Sequence, residues 1–278
     1  MPTFDTPRPV AVTLHLLAAD VRISASERTD TVVEVRPANS NAKSVKAAEE
    51  TRVEYADGRL HVRTPKHLNS MFGRPGSIEV DIALPAGSSV EGSTGLGELA
   101  AEGPLGPCEY HTGYGRVQLD QTGPLQVETG AGEIGVGHVL GDAKVTTGTG
   151  RIRIGRVDGA AVVKSSNGDS SIAEITGLAR INGANGDITV ERALGGVTAK
   201  TAHGGIRIGS AVRGAVSLET AAGRLEIGIP EGTAAWLDLQ APGAVRNSLE
   251  STGGPAENDE RVEVRARTHW GDIIIHRS

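Results

Sequence analysis

Three consecutive stretches of eighteen residues decide the fold of this chain. They read AKVTTGTGRIRIGRVDGA over residues 143–160, AVVKSSNGDSSIAEITGL over residues 161–178 and ARINGANGDITVERALGG over residues 179–196. Each has a glycine at its eighth position and mostly apolar residues at positions 1, 3, 10 and 12. A repeat of this length indicates supersecondary units that stack because none of them can bury its own apolar face.

The glycine at the eighth position continues on both sides of these stretches. It recurs at intervals of 18, 17, 18, 18, 18, 18 and 19 residues, and a related glycine follows near the C-terminus. Apolar pairs two residues apart place both side chains on one face of a strand, whereas a helical face needs steps of three and four. Each unit is therefore predicted to be strand, tight corner, strand and looser corner. The predicted corner glycines are Gly97, Gly115, Gly132, Gly150, Gly168, Gly186, Gly204, Gly223 and Gly271.

Units of this kind bury their apolar faces by stacking in parallel, about 4.8 Å apart. The sequence thus predicts an all-β fold, a single-stranded parallel β-helix of roughly ten coils, with a meander of hairpins as the alternative. The aromatic content of 3% agrees with an interior of small aliphatic side chains. We divide the chain into an irregular β section over residues 1–86, regular coils over 87–228, and C-terminal coils with a cap over 229–278.

The flanking sections are less regular than the repeat. Residues Arg52–Arg63 are predicted to form a hairpin, because Asp57-Gly58 is a typical two-residue turn. Ala38–Glu50 and Pro65–Gly76 are predicted to be loops.

The C-terminal section departs from the repeat, and we interpret it as a cap. It contains a polar acidic segment, Ser251–Glu260, which is predicted to be a loop. It also holds the two tryptophans of the chain, Trp236 and Trp270. We expect these bulky side chains to close the final coil.

Composition excludes several classes of protein. The chain has 278 residues and a formal charge of −6, which argues against a nucleic-acid binder. One cysteine, Cys108, excludes an internal disulfide framework and a cysteine zinc cluster. The first ten residues, MPTFDTPRPV, lack the pattern of a secretory signal, and no apolar run approaches the ~20 residues that a membrane span needs. We therefore expect a cytoplasmic protein without an integral membrane segment.

The repeated G-x-[IV]-x-[VI] pattern, the T-x-x-G corners and the closing VEVRARTHWGDIII of residues 262–275 carry a family resemblance. They resemble the bacterial putative-adhesin, β-strand-repeat domain of unknown function, over roughly residues 10–276. The resemblance implies a single-stranded parallel β-helix. It implies no catalytic residues, since none are established for the family.

Candidate chemical sites in the repeat have structural interpretations that fit better. The column one residue after the corner glycines holds Asp169 and Asp187 but also arginines, which would repel calcium. The histidines fall in different columns, so no metal site is expected. Long loops and aromatic platforms of the kind that carbohydrate-cleaving β-helices use are missing from the pattern. We expect no catalytic residues and no cofactor, hence no enzyme. One corner edge is predicted to gather four side chains into a small adhesive strip: Tyr110, Tyr114, His203 and Trp270.

One outward feature suggests a function. Positions six and four before the corner glycines carry Lys144, Lys164, Arg180 and Lys200 in successive coils. Stacking would form from them a basic stripe, either a solvated face or a site for an anionic partner. We predict a non-enzymatic, rigid, elongated scaffold, a monomer or weak homo-oligomer, that docks a protein or anionic partner on its long faces. The alternatives are a self-assembling, cytoskeleton-like β-helix and an exported adhesin or carbohydrate binder.

Overall fold

A computed structural model of the chain describes residues 2–65, 75–249 and 260–278. The chain divides into two compact units, Met1–Gly137 and His138–Ser278. The predicted loops over residues 65–76 and 251–260 lie, apart from their ends, outside the described residues.

Strands make up most of both units. Those of the first unit are β1 (Thr3–Asp5), β2 (Ala11–Ser26), β3 (Asp30–Pro37), β4 (Arg52–Ala56), β5 (Arg59–Arg63), β6 (Ile78–Pro85), β7 (Ser89–Leu96), β8 (Leu99–Pro104), β9 (Cys108–Tyr114), β10 (Val117–Thr122) and β11 (Leu125–Ala131), with a helix, α1 (Ala42–Glu50). The chain passes from the first unit to the second within β12 (Ile134–Val139). Those of the second unit are β13 (Ala143–Thr149), β14 (Ile152–Val157), β15 (Ala161–Asn167), β16 (Ser170–Ile175), β17 (Ala179–Asn185), β18 (Ile188–Ala193), β19 (Val197–His203), β20 (Ile206–Ala211), β21 (Gly214–Ala222), β22 (Leu225–Ile229), β23 (Thr233–Gln240), β24 (Val245–Asn247), β25 (Glu260–Trp270) and β26 (Ile273–Arg277).

In the second unit every coil contributes one strand to each of two parallel sheets. The odd sheet contains β13, β15, β17, β19, β21, β25 and β23, and the even sheet contains β14, β16, β18, β20, β22, β26 and β24. Val145 is in register with Val163, and Val163 with Ile181, so buried side chains from successive coils stack into columns. The prediction of a parallel β-helix with coils of about 18 residues is confirmed.

The tight corner of each coil is a place where only glycine fits. Gly204 has a φ of 138°, which L side chains rarely adopt. A Cβ added there would lie 2.1 Å from the carbonyl oxygen of Gly186, one coil earlier. The coils therefore approach each other closely at the corner because neither glycine has a side chain.

At the C-terminal end the order of the coils in space differs from their order in sequence. Strand β25 pairs with β21 on one side and with β23 on the other, all in parallel. The corner glycines follow the same order: a Cβ at Gly271 would meet the carbonyl of Gly223, and a Cβ at Gly243 would meet that of Gly271. The outermost described coil is thus β23–β24, and the coil that ends the chain is inserted beneath it.

The two tryptophans do not close this end, so that expectation is wrong. Trp236 is 59% exposed and Trp270 is 78% exposed. Trp236 lies opposite Glu263 of β25, on the outward face of the odd sheet. It points outward because Ala235, Leu237 and Leu239, which are in register with buried residues of β25, take up the inward positions of β23.

The first unit also has an inserted coil. Strand β2 crosses both sheets: its first half pairs with β5 and β7, and its second half with β6 and β8, all in parallel. Leu14 in the first half and Ile23 in the second are almost fully buried between these neighbours. Strand β2 is therefore central in this unit rather than peripheral.

Antiparallel strands flank this coil. Strand β3 pairs with β6, β1 pairs with β3, and β4 pairs with β5. The β4–β5 pair is the predicted Arg52–Arg63 hairpin, and both turn residues, Asp57 and Gly58, have positive φ. Antiparallel pairing changes the direction of the chain at the edge, so the regular repeat does not continue there.

The predicted loop over Ala38–Glu50 is wrong for Ala42–Glu50, which is α1. The Asn41 side chain accepts a hydrogen bond from the Lys43 backbone N–H and so caps the first turn. Ala47 and Ser44 are buried, and the helix packs on β3 and β6. The helix is difficult to predict from the sequence of this short polar segment, because only these two small residues face the core.

The corner geometry predicts a large stability effect at Gly204 and a small one at the outward position of Lys144. Gly204→Val is expected to lower the free energy of unfolding by about 1–3 kcal/mol, since the positive φ is strained for valine and the Cβ meets a carbonyl. Lys144→Val, at an exposed position, should change it by less than about 0.5 kcal/mol. Urea denaturation followed by circular dichroism measures both, and equal losses would contradict the corner assignment.

The inserted C-terminal coil predicts that two truncations of different length have the same effect. Removing Glu260–Ser278 leaves β23 and β24 without their neighbours, while removing Thr233–Ser278 takes them away too. Both variants expose the edge of β21 and β22, which is a template for pairing with another chain. We expect both to aggregate, as measured by light scattering against the full chain. A monodisperse Glu260–Ser278 deletion would contradict the strand order.

Candidate functional site

The even sheet of the second unit pairs charges between neighbouring coils. Arg156 Nη1 lies 2.7 Å from Glu174 Oε1, and Arg192 Nη1 lies 3.9 Å from Glu174 Oε2 in the next coil. Arg207 lies 2.9 Å from Glu191 and 3.3 Å from Glu226. Exposed pairs of this kind add little stability, but they leave the cations with acidic neighbours.

The odd sheet carries its cations in a different arrangement. Lys144 and Arg180 stand in one column, two coils apart, with Val162 between them. Lys164 and Lys200 stand in the adjacent outward column, also two coils apart. All four side chains are exposed on the same face. We call these four residues the basic stripe.

Three members of the basic stripe lack a counter-charge. Lys200 Nζ lies 2.7 Å from Glu219 Oε2, and the hydrogen bond from Lys200 lowers the pKa of Glu219 below its usual value. Lys144, Lys164 and Arg180 have no acidic side chain within 4.0 Å among residues 2–65, 75–249 and 260–278. The chain is acidic overall, so this face is locally opposite in sign to the net charge.

An apolar groove runs beside the basic stripe, at the point where the odd-sheet strands begin. Its first part has a volume of about 310 Å³. Leu178 on its wall is 68% exposed. Residues that line this part include Ala160, Val162, Leu178, Arg180, Thr198 and Ala215.

The groove continues into a second part around Trp236. The two parts share Gly214 and Ala215, and the second has a volume of about 610 Å³. Ala234, Arg261 and Glu263 also line it. We call both parts together the odd-sheet groove.

This groove was not predicted from the sequence, although the sequence contains a signal for it. Ala160, Leu178, Gly196 and Ala215 recur at intervals of 18, 18 and 19 residues, each eight positions before a corner glycine. These are outward positions with apolar or small residues where the other outward columns carry polar ones. The groove is therefore encoded in the outward columns of the repeat, not in the inward ones.

The column that resembled a calcium site makes hydrogen bonds between coils. Asp169 Oδ1 accepts from the backbone N–H of Asp187 at 3.0 Å, and Asp187 Oδ1 accepts from that of Gly205 at 2.7 Å. Asn185 Nδ2 donates to Asn167 Oδ1 at 2.9 Å in the adjacent column. No group of three His, Cys, Asp or Glu side chains able to hold a metal ion occurs in the described parts of the chain.

The threonines before the corner glycines point inward, and some of their hydroxyls donate hydrogen bonds to backbone carbonyls at the corner. Thr220 Oγ1 donates to the carbonyl of Gly204 at 3.0 Å, and Thr268 Oγ1 donates to that of Gly223 at 3.0 Å. These two buried hydroxyls therefore link their coils to the neighbouring one. In the first unit, Thr112 and Thr129 are buried with their hydroxyl oxygens unpartnered.

Tyr110 does not belong to a corner strip, so that expectation is wrong for this residue. Its side chain is fully buried in the first unit and is hydrogen-bonded to the hydroxyl of Thr94. The ring fits because its neighbour in register is Gly92, where a Cβ would lie 3.0 Å from the ring. Tyr114 of this unit and His203 and Trp270 of the second do lie at the corner ends of their strands.

Two buried groups of the first unit, the thiol of Cys108 and the hydroxyl of Tyr110, have raised pKa values. Burial raises the pKa of Cys108 to about 12. Burial also raises the pKa of Tyr110 to about 12, against the opposite effect of the Thr94 hydrogen bond. A thiol kept neutral in this way is a poor nucleophile.

These pKa values predict a loss of stability at alkaline pH. Unfolding returns Cys108 and Tyr110 to their ordinary pKa values of 9.0 and 10.0, so the unfolded chain releases protons that the folded chain retains. The stabilising contribution is complete below pH 9 and disappears as the pH rises towards 12. We expect the Cys108→Ala, Tyr110→Phe double variant to have a shallower fall of melting temperature across that range. Tyr114→Phe, at an exposed position, is the control, and an unchanged slope in the double variant would contradict the assignment.

The described residues include no helix long and apolar enough to span a membrane.

A comparison with proteins of curated function found no match. Similar solved structures include a putative adhesin from Parabacteroides merdae, 10% identical, covering 100% of this chain and 95% of that one with a TM-score of 0.43. A putative lipid binding protein from Parabacteroides distasonis is 12% identical over 100% and 95%, with a TM-score of 0.40. Similarities at these scores carry no argument about what this chain binds. The Toastrack DUF4097 family matches residues 11–276, almost the whole chain, and this protein is a member of that family.

Proposed function

We propose that this chain is a non-enzymatic binding scaffold that docks a protein partner on the outward face of the odd sheet. The observation that carries the proposal is the set of uncompensated cations at Lys144, Lys164 and Arg180, beside an apolar groove. Charges without counter-ions are available to pair with a partner, and they accelerate association with a surface of opposite sign. The cytoplasmic location belongs to the same proposal and is tested by fractionation of the native cells.

The contrast between the two sheets supports this choice of face. On the even sheet, Arg156, Arg192 and Arg207 already have carboxylates within 4.0 Å. A partner that bound them would first have to displace those internal pairs. On the odd sheet, Lys200 is the one member of the basic stripe that has a carboxylate within 4.0 Å among the residues that the structure describes.

A binding role also fits the chemistry of the titratable groups better than catalysis does. An active site needs a nucleophile or acid within reach of an oriented partner. Cys108 and Tyr110, whose pKa values are raised to about 12, are buried in the core and kept neutral there. Asp169 and Asp187 are engaged in hydrogen bonds to backbone N–H groups.

Self-assembly and adhesion at the cell surface make different predictions from partner docking. A cytoskeleton-like protein would form filaments at rising concentration, visible by electron microscopy. An exported adhesin would be recovered outside the cell. Our proposal predicts neither result for the full chain.

Charge reversal on the basic stripe tests the proposal. The variant Lys144→Glu, Lys164→Glu, Arg180→Glu should reduce recovery of the native partner at least tenfold in a quantitative pull-down from native cells, roughly 1.4 kcal/mol of binding free energy. The matched control is Arg116→Glu, Arg153→Glu, Arg224→Glu, which makes the same change in net charge at exposed positions elsewhere. Recovery that is equal for wild type and both variants would contradict the proposed face.

A further inference from the structure

We infer that the odd-sheet groove binds an extended, acidic segment of a partner protein that also carries apolar side chains. The inference rests on the proposed function and adds to it the chemistry and conformation of what is bound. Three properties of the groove support it: its length, its apolar wall and the sign of the charges beside it.

The length of the groove suits a short extended peptide. Its outward column passes through Ala160, Leu178, Gly196 and Ala215 and then reaches Trp236 by way of β25. This path crosses five steps between coils, or about 24 Å at 4.8 Å per step. A strand-like segment of about seven residues covers the same distance at 3.4 Å per residue.

The wall and floor of the groove are apolar and shaped to take side chains. Leu178 and Trp236 are 68% and 59% exposed and stand towards opposite ends. Gly196 keeps the floor low between them, because a Cβ there would lie 3.1 Å from Leu178 Cδ2 and 3.0 Å from the carbonyl oxygen of Ala215. Aliphatic or aromatic side chains of a bound segment would cover both exposed residues and lose water contact themselves.

The charges around the groove favour an acidic occupant. Arg180 lines the first part and Arg261 lines the second, while Lys144 and Lys164 stand beside the first. The acidic residue lining the second part, Glu263, lies 2.6 Å from Arg265 and is therefore already neutralised. A basic or neutral segment would leave these cations without partners, whereas carboxylates would pair with them.

A concave site favours a protein segment over an anionic lipid surface. A membrane receives apolar side chains that protrude from a flat or convex face with cations around them. Here the space is lined by the small residues Ala160, Ala215 and Ala234 as well as by the larger side chains of Leu178 and Trp236. We therefore commit to a protein segment and make vesicle binding an outcome of the test.

Trp236 lies in the groove and gives a direct measurement of binding. Because the chain has only two tryptophans, the Trp270→Phe variant of the full chain reports from Trp236 alone. The probes are nine-residue peptides in which Asp alternates with Leu, Lys alternates with Leu, or Asp alternates with Ser. We expect the Asp/Leu peptide to shift the emission of Trp236 and to bind at least tenfold more tightly than the other two.

Two substitutions and a control locate the bound peptide. Arg180→Glu reverses a charge on the wall, and Ala215→Tyr fills the groove at an exposed position without changing any charge. Each should weaken binding of the Asp/Leu peptide at least tenfold. Arg153→Glu, an exposed position on the even sheet, should leave it unchanged.

Several outcomes would overturn the inference. Equal binding of the Asp/Leu and Asp/Ser peptides would show recognition of charge alone. If vesicles of phosphatidylserine and phosphatidylcholine shift the emission of Trp236 and no peptide does, the groove binds a membrane surface and not a protein segment. If the native partner is lost on reversal of the basic stripe but unaffected by Ala215→Tyr, the proposed function stands and the groove is not its site. If neither the reversal of the basic stripe nor Ala215→Tyr reduces recovery of the native partner, both proposals are overturned.

Discussion

The close contact between corner glycines of successive coils is the constraint on which the rest of the structure depends. In the second unit a Cβ added at Gly168, Gly186, Gly204, Gly223 or Gly271 would lie 1.9–2.5 Å from the carbonyl oxygen of the corner glycine in the coil before. Real Cβ atoms do not approach other atoms so closely, so each coil must present a glycine at this point. A column of glycines then sets the register for the whole coil, because the strands on either side of the corner have fixed lengths.

Fixed register turns each position of the repeat into a column, inside and outside. Inside, small aliphatic residues stack on their equivalents, as Val145, Val163 and Ile181 do. On the outside, a residue type that recurs every eighteen residues forms a continuous row across successive coils. The ion pairs of the even sheet and the apolar groove of the odd sheet both arise in this way. They are made from different outward residues on the same scaffold.

The sequence was sufficient for the features that depend on the repeat and insufficient for those that depend on which coils are neighbours. The corner spacing and the Arg52–Arg63 hairpin follow from local rules of strand and turn geometry. The insertion of β25 beneath β23 does not, because a coil with the standard columns fits equally well at either position. Helix α1 was missed because its cap, Asn41, is a single residue in a polar stretch with little apolar periodicity. The part of the groove around Trp236 is also lined by Arg261 and Glu263 of β25, and these two residues lie between β21 and β23 only because β25 is inserted there.

The spacing of the basic stripe explains how the fold tolerates like charges on one face. Cations in adjacent coils of one column would stand about 4.8 Å apart and repel each other strongly. In this chain Lys144 and Arg180 are separated by Val162, and Lys164 and Lys200 by Asn182, so members of one column are about 10 Å apart. That distance is close to the Debye length of about 8–10 Å at physiological ionic strength, and salt screens most of the repulsion. A carboxylate bound directly against one of these cations is screened much less, since it is in contact. The same salt that lets the folded chain keep its uncompensated cations therefore leaves them able to bind an acidic partner at short range.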